Sequence, residues 1–150
     1  MRSRPILKKY PAKISKGLLV FICLAILLPI VPIALEGFFN FNVVFKIVLL
    51  VVILAFVLHL FLKTEYVIDG DKLKIRAGFF SYKPIRIADI NAISKTKSLL
   101  ASPAPSFDRI EIKHGKFDSI IISPKDKHTF AKGLVGINPK IKNNISEKRV

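Results

Sequence analysis

The chain has 150 residues, of which 51% are hydrophobic, so it is too short for several domains and too apolar for an ordinary soluble protein. Its single cysteine, Cys23, excludes an internal disulfide and a zinc site built from several cysteines. The formal net charge of +15 favours an anionic surface or a nucleic acid as partner, unless the position of the basic residues has another cause.

The first segment, residues 1–16, is basic. The Lys and Arg residues that precede the first hydrophobic run are Arg2, Arg4, Lys8, Lys9, Lys13 and Lys16. Basic residues next to a membrane span set the orientation of that span, and topology therefore explains part of the net charge. We expect no nucleic acid partner, because the later segments lack the interleaved surface aromatic residues that stack on bases.

Two apolar runs follow, at residues 17–35 and 43–62. A bilayer core of about 30 Å needs roughly 20 helical residues at 1.5 Å each, and each run supplies about that number. Residues 17–62 are therefore predicted to form a transmembrane helical hairpin, kinked in its first helix by Pro29 and Pro32. A cleaved signal peptide is the alternative, but its apolar region is only about 7–15 residues long.

The distribution of Lys and Arg predicts the orientation of this hairpin. The connector between the two runs contains no Lys or Arg. The basic N-terminal segment precedes the hairpin in the chain, and Lys63, Lys72, Lys74 and Arg76 follow it. Cytoplasmic loops carry the excess of Lys and Arg. We therefore expect a two-span protein of the cell (inner, cytoplasmic) membrane with both termini in the cytoplasm.

From Lys63 onward apolar and polar residues alternate, which is the period of half-buried strands. Residues 64–68 and 72–76 flank Asp69-Gly70-Asp71, whose turn chemistry predicts a β-hairpin rather than a metal site. The other strands expected from this pattern are residues 83–87, 92–97, 107–113 and 117–123. The sequence thus predicts a mainly β domain with about six or seven antiparallel strands.

A helix is predicted to start at Ser123-Pro124-Lys125-Asp126, which combines a capping serine, a proline and a nearby carboxylate. Phe130, Ala131 and Leu134 recur at helical spacing and are expected to form its apolar face. The pattern ends near Ile141. We therefore expect the cytoplasmic domain to cover residues 63–141 and a flexible tail to cover residues 142–150.

A series of strands followed by one helix is the outline of a pleckstrin-homology-like (PH-like) barrel, and several motifs point to the same fold. Residues 64–141 resemble the bacterial PH-like domains of the YyaB-like family. The motifs that carry the resemblance are Thr64-x-Tyr66-x-Ile68, Ser102-Pro103-Ala104-Pro105-Ser106-Phe107-Asp108-Arg109-Ile110, Ile122-Ser123-Pro124-Lys125-Asp126 and Asn138-Pro139-x-Ile141. The resemblance implies a PH-like barrel capped by a C-terminal helix, often behind a membrane hairpin, and implies no catalytic or ligand residues. Pro105 stands where a larger aliphatic residue is more usual.

The sequence contains no motif that indicates catalysis. It has no G-x-S-x-G, no H-E-x-x-H and no phosphate-binding glycine loop. We therefore expect a protein that is not an enzyme and that has no cofactor or metal.

Two features remain as candidate sites. The first is a docking loop formed by Ser102, Pro103, Pro105, Asp108 and Arg109, in which the prolines present a rigid edge or Asp108 pairs with Arg109. A structural role is the alternative, since prolines end strand pairing and Ser106 or Asp108 can accept hydrogen bonds from backbone donors. The second is a basic patch on one strand face, formed by Lys72, Lys74 and Arg76 and extended by Lys83 and Arg86.

These features lead to two hypotheses about function. The first is a membrane-tethered, non-catalytic module whose PH-like domain binds a protein partner, or a second copy of itself, at the cytoplasmic face of the bilayer. The second is recognition of anionic lipid headgroups by the basic patch, since each Lys or Arg near a cytoplasmic leaflet contributes about 1 kcal/mol of attraction.

Overall fold

The computed structural model describes residues 7–35, 37, 40–98 and 104–145. The region predicted as a hairpin contains the helices α1 (Lys16–Leu27), α2 (Ile30–Leu35) and α3 (Phe41–Leu62). The remaining elements are β1 (Leu7–Pro11), β2 (Thr64–Asp69), β3 (Lys72–Ala77), β4 (Phe80–Ser81), β5 (Ile85–Arg86), a 3₁₀ turn (Ile87–Asp89), β6 (Ile90–Thr96), β7 (Arg109–His114), β8 (Asp118–Ile122), α4 (Lys127–Ile137) and β9 (Lys142–Asn143).

The predicted spans are two long apolar helices. Lys16–Leu35 supplies 20 residues and Phe41–Leu62 supplies 22, and each is long and apolar enough to cross a membrane. Only 0% and 6% of their apolar windows are buried inside the protein. A core helix of a soluble domain would be covered by other elements, and these two helices are not.

The first span is interrupted where the prolines predict a kink. A turn at Leu28 and Pro29 separates α1 from α2, and the amide of Val31 donates to the carbonyl of Leu28 at 3.3 Å. Pro29 has no amide proton and its ring clashes with the preceding turn, which accounts for the break at this position.

The domain consists of two sheets. The first has the order β1-β2-β3-β4, with β5 pairing along another part of β3. The second has the order β8-β7-β6-β9, in which β9 runs parallel to β6 and the other pairs are antiparallel. The sheets do not close into a complete barrel: they meet at one corner, where Ala12 bridges Pro124 and the amide of Lys13 donates to the carbonyl of Ser123 at 2.7 Å.

The core lies between these sheets and α4, as the alternating pattern predicts. Leu73 and Ile75 from β3 and Ile110 and Ile112 from β7 are all buried. Ile110 faces Ile122 across the strand pair, and Ile112 faces Ile120. The helix contributes Phe130, Ala131 and Leu134, the apolar face expected from its spacing. The predicted fold class, an apolar helical hairpin before a mainly antiparallel PH-like domain with a C-terminal helix, is confirmed.

The basic N-terminal segment forms a strand that the sequence analysis did not anticipate. Residues 7–11 of β1 pair antiparallel with β2, so that Leu7 lies opposite Asp69 and Pro11 opposite Glu65. Most of its side chains are exposed, and its sequence Leu-Lys-Lys-Tyr-Pro lacks the alternation of a half-buried strand. Lysines and a proline are typical of an edge strand, which is the position β1 occupies.

Both ends of the C-terminal region differ from expectation. Helix α4 begins at Lys127 and is capped by Asp126, whose carboxylate accepts from the amide of Thr129 at 3.1 Å, and not by Ser123. Ser123 continues the strand contacts instead. Residues 142–143, expected in the flexible tail, form β9, and Ile145 is buried with the amide of Asn144 bonded to Ile93 at 2.8 Å.

Candidate functional site

The two apolar helices join the domain at the same end of its first sheet. Strands β1 and β2 are antiparallel, so the chain leaves β1 and enters β2 at neighbouring points, where the amide of Ala12 donates to the carbonyl of Thr64 at 3.2 Å. We call this the helix end of the domain. The opposite end carries the turn from Asp69 to Lys72. Lys72 lies five residues along β3 from Ala77, which is at the helix end, so the two ends are about 17 Å apart at 3.4 Å per residue.

Asp108, predicted as part of a docking loop, links three parts of the fold. Its carboxylate accepts from Lys127 Nζ at 2.5 Å and from Lys13 Nζ at 2.9 Å. The hydrogen bond from Lys127, with a smaller contribution from Lys13, lowers the pKa of Asp108 below its ordinary value. The carboxylate thus ties the segment after β1 to the start of α4 through two ion pairs.

The other described residues of the predicted docking loop also make internal contacts. Pro105 is buried and its carbonyl accepts from the amide of Ser15 at 3.1 Å. Arg109 donates to the carbonyls of Ser106 at 2.6 Å and Ser98 at 3.2 Å. These contacts favour the structural alternative for this part of the loop. Ser102 and Pro103 lie outside the described residues, and a docking role for them stays a prediction.

The predicted basic patch is divided by ion pairs. Lys74 contacts Asp69 at 2.5 Å, Arg76 contacts Glu65 at 3.9 Å, and Arg86 contacts Asp89 at 2.9 Å. Lys72 lies directly opposite Arg86 in the pairing of β3 with β5. Neither Lys72 nor Lys83 forms an ion pair with a carboxylate in the part of the chain that the structure describes.

An open groove of about 1010 Å³ brings three of these basic residues together with the second sheet. Lys72, Lys83 and Arg86 form one side, and the turn after β7 with the first part of β8 forms the other. Ile85 and Ile121 are 9% and 6% exposed and supply an apolar base. The residues that line the groove are Lys72, Tyr82, Lys83, Pro84, Ile85, Arg86, Asp89, His114, Gly115, Asp118, Ser119, Ile120 and Ile121.

A β-bulge shapes the groove between β4 and β5. Arg76 pairs with Ser81 and Lys72 with Arg86, so the segment carrying β4 and β5 has one residue more than the part of β3 it pairs with. The extra residue falls within residues 82–84, next to the hydrogen bond from the amide of Tyr82 to the carbonyl of Ile75 at 2.9 Å. Bulges redirect side chains, which here include Lys83.

The sequence analysis missed the second side of this groove. His114 and Asp118 lie opposite each other across the turn from β7 to β8, and neither lies in a recognisable motif. Their proximity to Lys72 depends on how the two sheets pack, and no local pattern encodes it. Lys74 and Arg76, which alternation places beside Lys72 on one strand, do not line the groove. Within the described residues, no group of three or more His, Cys, Asp or Glu could hold a metal ion.

Tyr66 joins the helix end of the domain to the corner between the sheets. Its side chain is fully buried and its hydroxyl accepts from the amide of Ser123 at 3.0 Å. Burial raises the pKa of Tyr66 to about 12, and the hydrogen bond from Ser123 offsets part of that increase. The phenol is therefore neutral at physiological pH and acts as a fixed structural acceptor.

We expect the stability of the domain to fall between pH 10 and pH 12. Tyr66 deprotonates near pH 10 in the unfolded chain and near pH 12 in the folded domain. The folded state therefore retains a proton that the unfolded state has released, which costs about 3 kcal/mol over this interval. Urea unfolding in mild detergent at pH 8 and pH 11 measures the effect.

Tyr66→Phe is expected to reduce this pH dependence while costing about 1–3 kcal/mol at pH 8, because the buried Ser123 amide loses its acceptor. Tyr82→Phe is the matched control, since Tyr82 is 41% exposed. An unchanged slope between pH 8 and pH 11 in Tyr66→Phe would show that other groups cause the loss of stability.

Comparison with known proteins identifies the domain. The model of the bacterial PH domain family matches residues 64–138, from the start of β2 through α4. No curated protein and no solved structure gives a significant match. The family match excludes β1 and the two apolar helices, which precede it. Since it covers half of the chain and coincides with the two-sheet fold, the chain belongs to the bacterial PH domain family.

Proposed function

We propose that this protein is a non-catalytic membrane anchor that holds its PH domain at the cytoplasmic face, where the groove binds an acidic segment of another protein. The observation that carries the proposal is the groove itself, in which Lys72, Lys83 and Arg86 lie along one side of an apolar base. Arg86 is paired with Asp89, whereas Lys72 and Lys83 form no ion pair with a carboxylate among the described residues. This combination of positive charge and apolar surface suits a peptide that carries both carboxylates and apolar side chains.

The anchoring part of the proposal is supported by the apolar helices and by the charge distribution. The helices of 20 and 22 residues are almost uncovered by protein, and β1 and β2 receive them at one end of the sheet. Two spans return the chain to the side from which it started, as this pairing requires. Basic residues precede the first span and follow the second, and this distribution supports a cytoplasmic position for the domain.

Charge favours an acidic partner over a second copy of this chain. The protein contains 25 Lys and Arg but only 10 Asp and Glu, so two copies repel each other at long range. Strand β8 is the outer strand of its sheet, and its residues 118–121 line the groove. An extended acidic segment can therefore use backbone groups of β8 as well as the lysines, as in strand addition to a sheet edge.

Recognition of anionic lipid headgroups by the basic patch is the second candidate. Arg76 lies near the helix end and thus near the proposed membrane surface, but it is paired with Glu65. Lys72 lies at the other end of β3. Because attraction to a charged leaflet decays within a Debye length of about 8 Å, the division of the patch favours the protein partner.

The test measures binding of two fluorescent peptides to the full-length protein in mild detergent. One peptide alternates glutamate with valine, and the other alternates lysine with valine. We expect the glutamate peptide alone to bind at physiological salt. Lys72→Glu combined with Lys83→Glu should weaken that binding by about tenfold or more, since 1.4 kcal/mol is a factor of ten. Lys132→Glu combined with Lys140→Glu is the control, because both residues are exposed and lie outside the groove.

Equal weakening by the two double variants would mean that net charge and not the groove determines binding. Failure of the glutamate peptide to bind would reject the proposed docking site. Proteoliposome flotation tests the lipid alternative directly: binding of separate anionic vesicles by the wild type, lost in the groove variant, would assign the groove to headgroups instead.

A further inference from the structure

The turn between β3 and β4 carries two exposed phenylalanines at the helix end of the domain. Phe79 is 76% exposed and Phe80 is 56% exposed. Phe79 lies in the strand connection, where polar residues are the norm, and Phe80 is the first residue of β4. Two adjacent exposed aromatic side chains at this position therefore indicate a surface that contacts a membrane or another apolar surface.

Both phenylalanines contact the end of the second membrane helix. The ring of Phe79 stacks on His59 with a centroid distance of 4.2 Å, and Phe80 meets Phe56 edge to face at 6.4 Å. His59 and Phe56 lie three and six residues before the end of α3, which corresponds to depths of about 5 and 9 Å at 1.5 Å per residue. The turn is thus held beside the last two turns of the span.

Gly78 allows the backbone of this turn to approach the helix closely. A Cβ at Gly78 would lie 2.7 Å from Leu60 Cδ2 and 3.2 Å from the Cα of Leu60. The φ angle of Gly78 is 58°, in the region that side chains disfavour, and its amide donates to the carbonyl of Lys63 at 3.2 Å. The position of the turn against the helix is therefore fixed by backbone contacts as well as by the rings.

We infer that the β3–β4 turn is an aromatic wedge that inserts into the cytoplasmic leaflet of the same bilayer that α3 crosses. The occupant of the exposed faces of Phe79 and Phe80 is lipid, because the surface they form is continuous with the apolar surface of the span. Depths of 5–10 Å are those at which interfacial aromatic residues meet the boundary of headgroups and acyl chains. The wedge gives the domain a third attachment besides the two helices.

This inference rests on the membrane anchorage in the proposed function, and the test separates the two. Full-length protein with Cys23→Ser is reconstituted in phosphatidylcholine vesicles and labelled with a polarity-sensitive fluorophore through Phe79→Cys, Phe80→Cys, Val48→Cys or Phe117→Cys. Val48 is 54% exposed in the middle of α3 and reports the anchor, whereas Phe117 is 97% exposed in the turn between β7 and β8. Quenching by a nitroxide on the lipid acyl chain is compared with quenching by aqueous iodide.

We expect the labels at positions 79 and 80 to be quenched several-fold more by the lipid nitroxide than the label at position 117, and less by iodide. Iodide quenching at positions 79 and 80 equal to that at position 117, with the label at position 48 quenched by lipid, would overturn the wedge and leave the anchorage intact. Absence of lipid quenching at position 48 would overturn both. Two wedge positions are measured because labelling at one of them can disturb the turn locally.

Discussion

Replacing Gly133 by valine is expected to lower the free energy of unfolding of the domain by about 1–3 kcal/mol, the usual cost of forcing a larger side chain into a packed site. A Cβ at Gly133 would lie 2.7 Å from the hydroxyl of Tyr10 and 3.4 Å from Ile68 Cδ1. The ring of Tyr10 packs nearly perpendicular to that of Phe130 with a centroid distance of 5.2 Å, so turning it away would break this contact. The substitution therefore pushes β1 away from α4.

Gly136→Val is the matched control for this prediction. Gly136 lies in the same helix, and nothing lies within 4 Å of the position its Cβ would take. Thermal unfolding in mild detergent should show a decrease of about 5–20 °C for Gly133→Val, since 1 kcal/mol corresponds to about 4–8 °C in a domain of this size. Equal shifts in the two variants would mean that helix propensity and not contact with β1 causes the loss.

The larger effect is expected when β1 is absent. Residues 63–145 produced alone should fail to give a cooperative unfolding transition, because β2 loses one of its two paired neighbours and the corner between the sheets loses the bonds of Ala12 and Lys13. The buried side chain of Ala12 and the contact of Tyr10 with Phe130 are lost as well. Each lost bond or apolar contact contributes about 1 kcal/mol, so their sum is comparable with the total stability of a domain, about 5–15 kcal/mol.

A chain in which a short glycine–serine linker joins residues 7–15 directly to residues 63–145 should restore folding. Ala12 and Thr64 are already hydrogen-bonded at 3.2 Å, so a linker of about eight residues, with a mean span of about 16 Å, is long enough. Near-ultraviolet circular dichroism and urea unfolding distinguish the two chains. A cooperative transition of equal midpoint in both would show that β1 does not belong to the stable fold.

The insertion of the helices between β1 and β2 has a consequence for folding. The first strand of the domain precedes the apolar helices in the chain, whereas the rest of the domain follows them. Pairing of Leu7–Pro11 with β2 requires both ends of the hairpin to be on one side of the bilayer. In the proposed topology two spans bring these ends to the same side, so β1 and β2 can pair after the hairpin has inserted.

The sequence predicted the elements whose side chains carry a periodic pattern. Leu73 and Ile75 alternate with lysines, and Phe130 and Leu134 recur at helical spacing, so burial on one face could be inferred locally. The turn at Gly70 was also predictable from the Asp-Gly-Asp sequence, and its positive φ angle of 60° is one that glycine adopts readily. Charge and hydropathy likewise identified the two apolar helices before the domain.

The features that the sequence did not reveal depend on distant partners. The side chains of β1 are mostly exposed, so their order carries no pattern, and the strand exists because β2 and Phe130 lie beside it. Ser123 has the features of a helix cap, yet its amide is used by Tyr66, 57 residues away in sequence. The groove combines Lys72 with His114 from different sheets, and only the packing of those sheets brings them together.

The measurement that tests the account most directly is the sidedness of three positions in intact cells. Full-length protein with Cys23→Ser receives one new cysteine at a time, through Lys9→Cys in β1, Lys116→Cys in the turn before β8, or Asn40→Cys before α3, all of them exposed positions. A membrane-impermeant maleimide is applied before and after permeabilisation. We expect Asn40→Cys to react in intact cells, and Lys9→Cys and Lys116→Cys to react only after permeabilisation. Reaction of Lys9→Cys or Lys116→Cys in intact cells, at the rate of Asn40→Cys, would contradict a domain held at the cytoplasmic face by two spans.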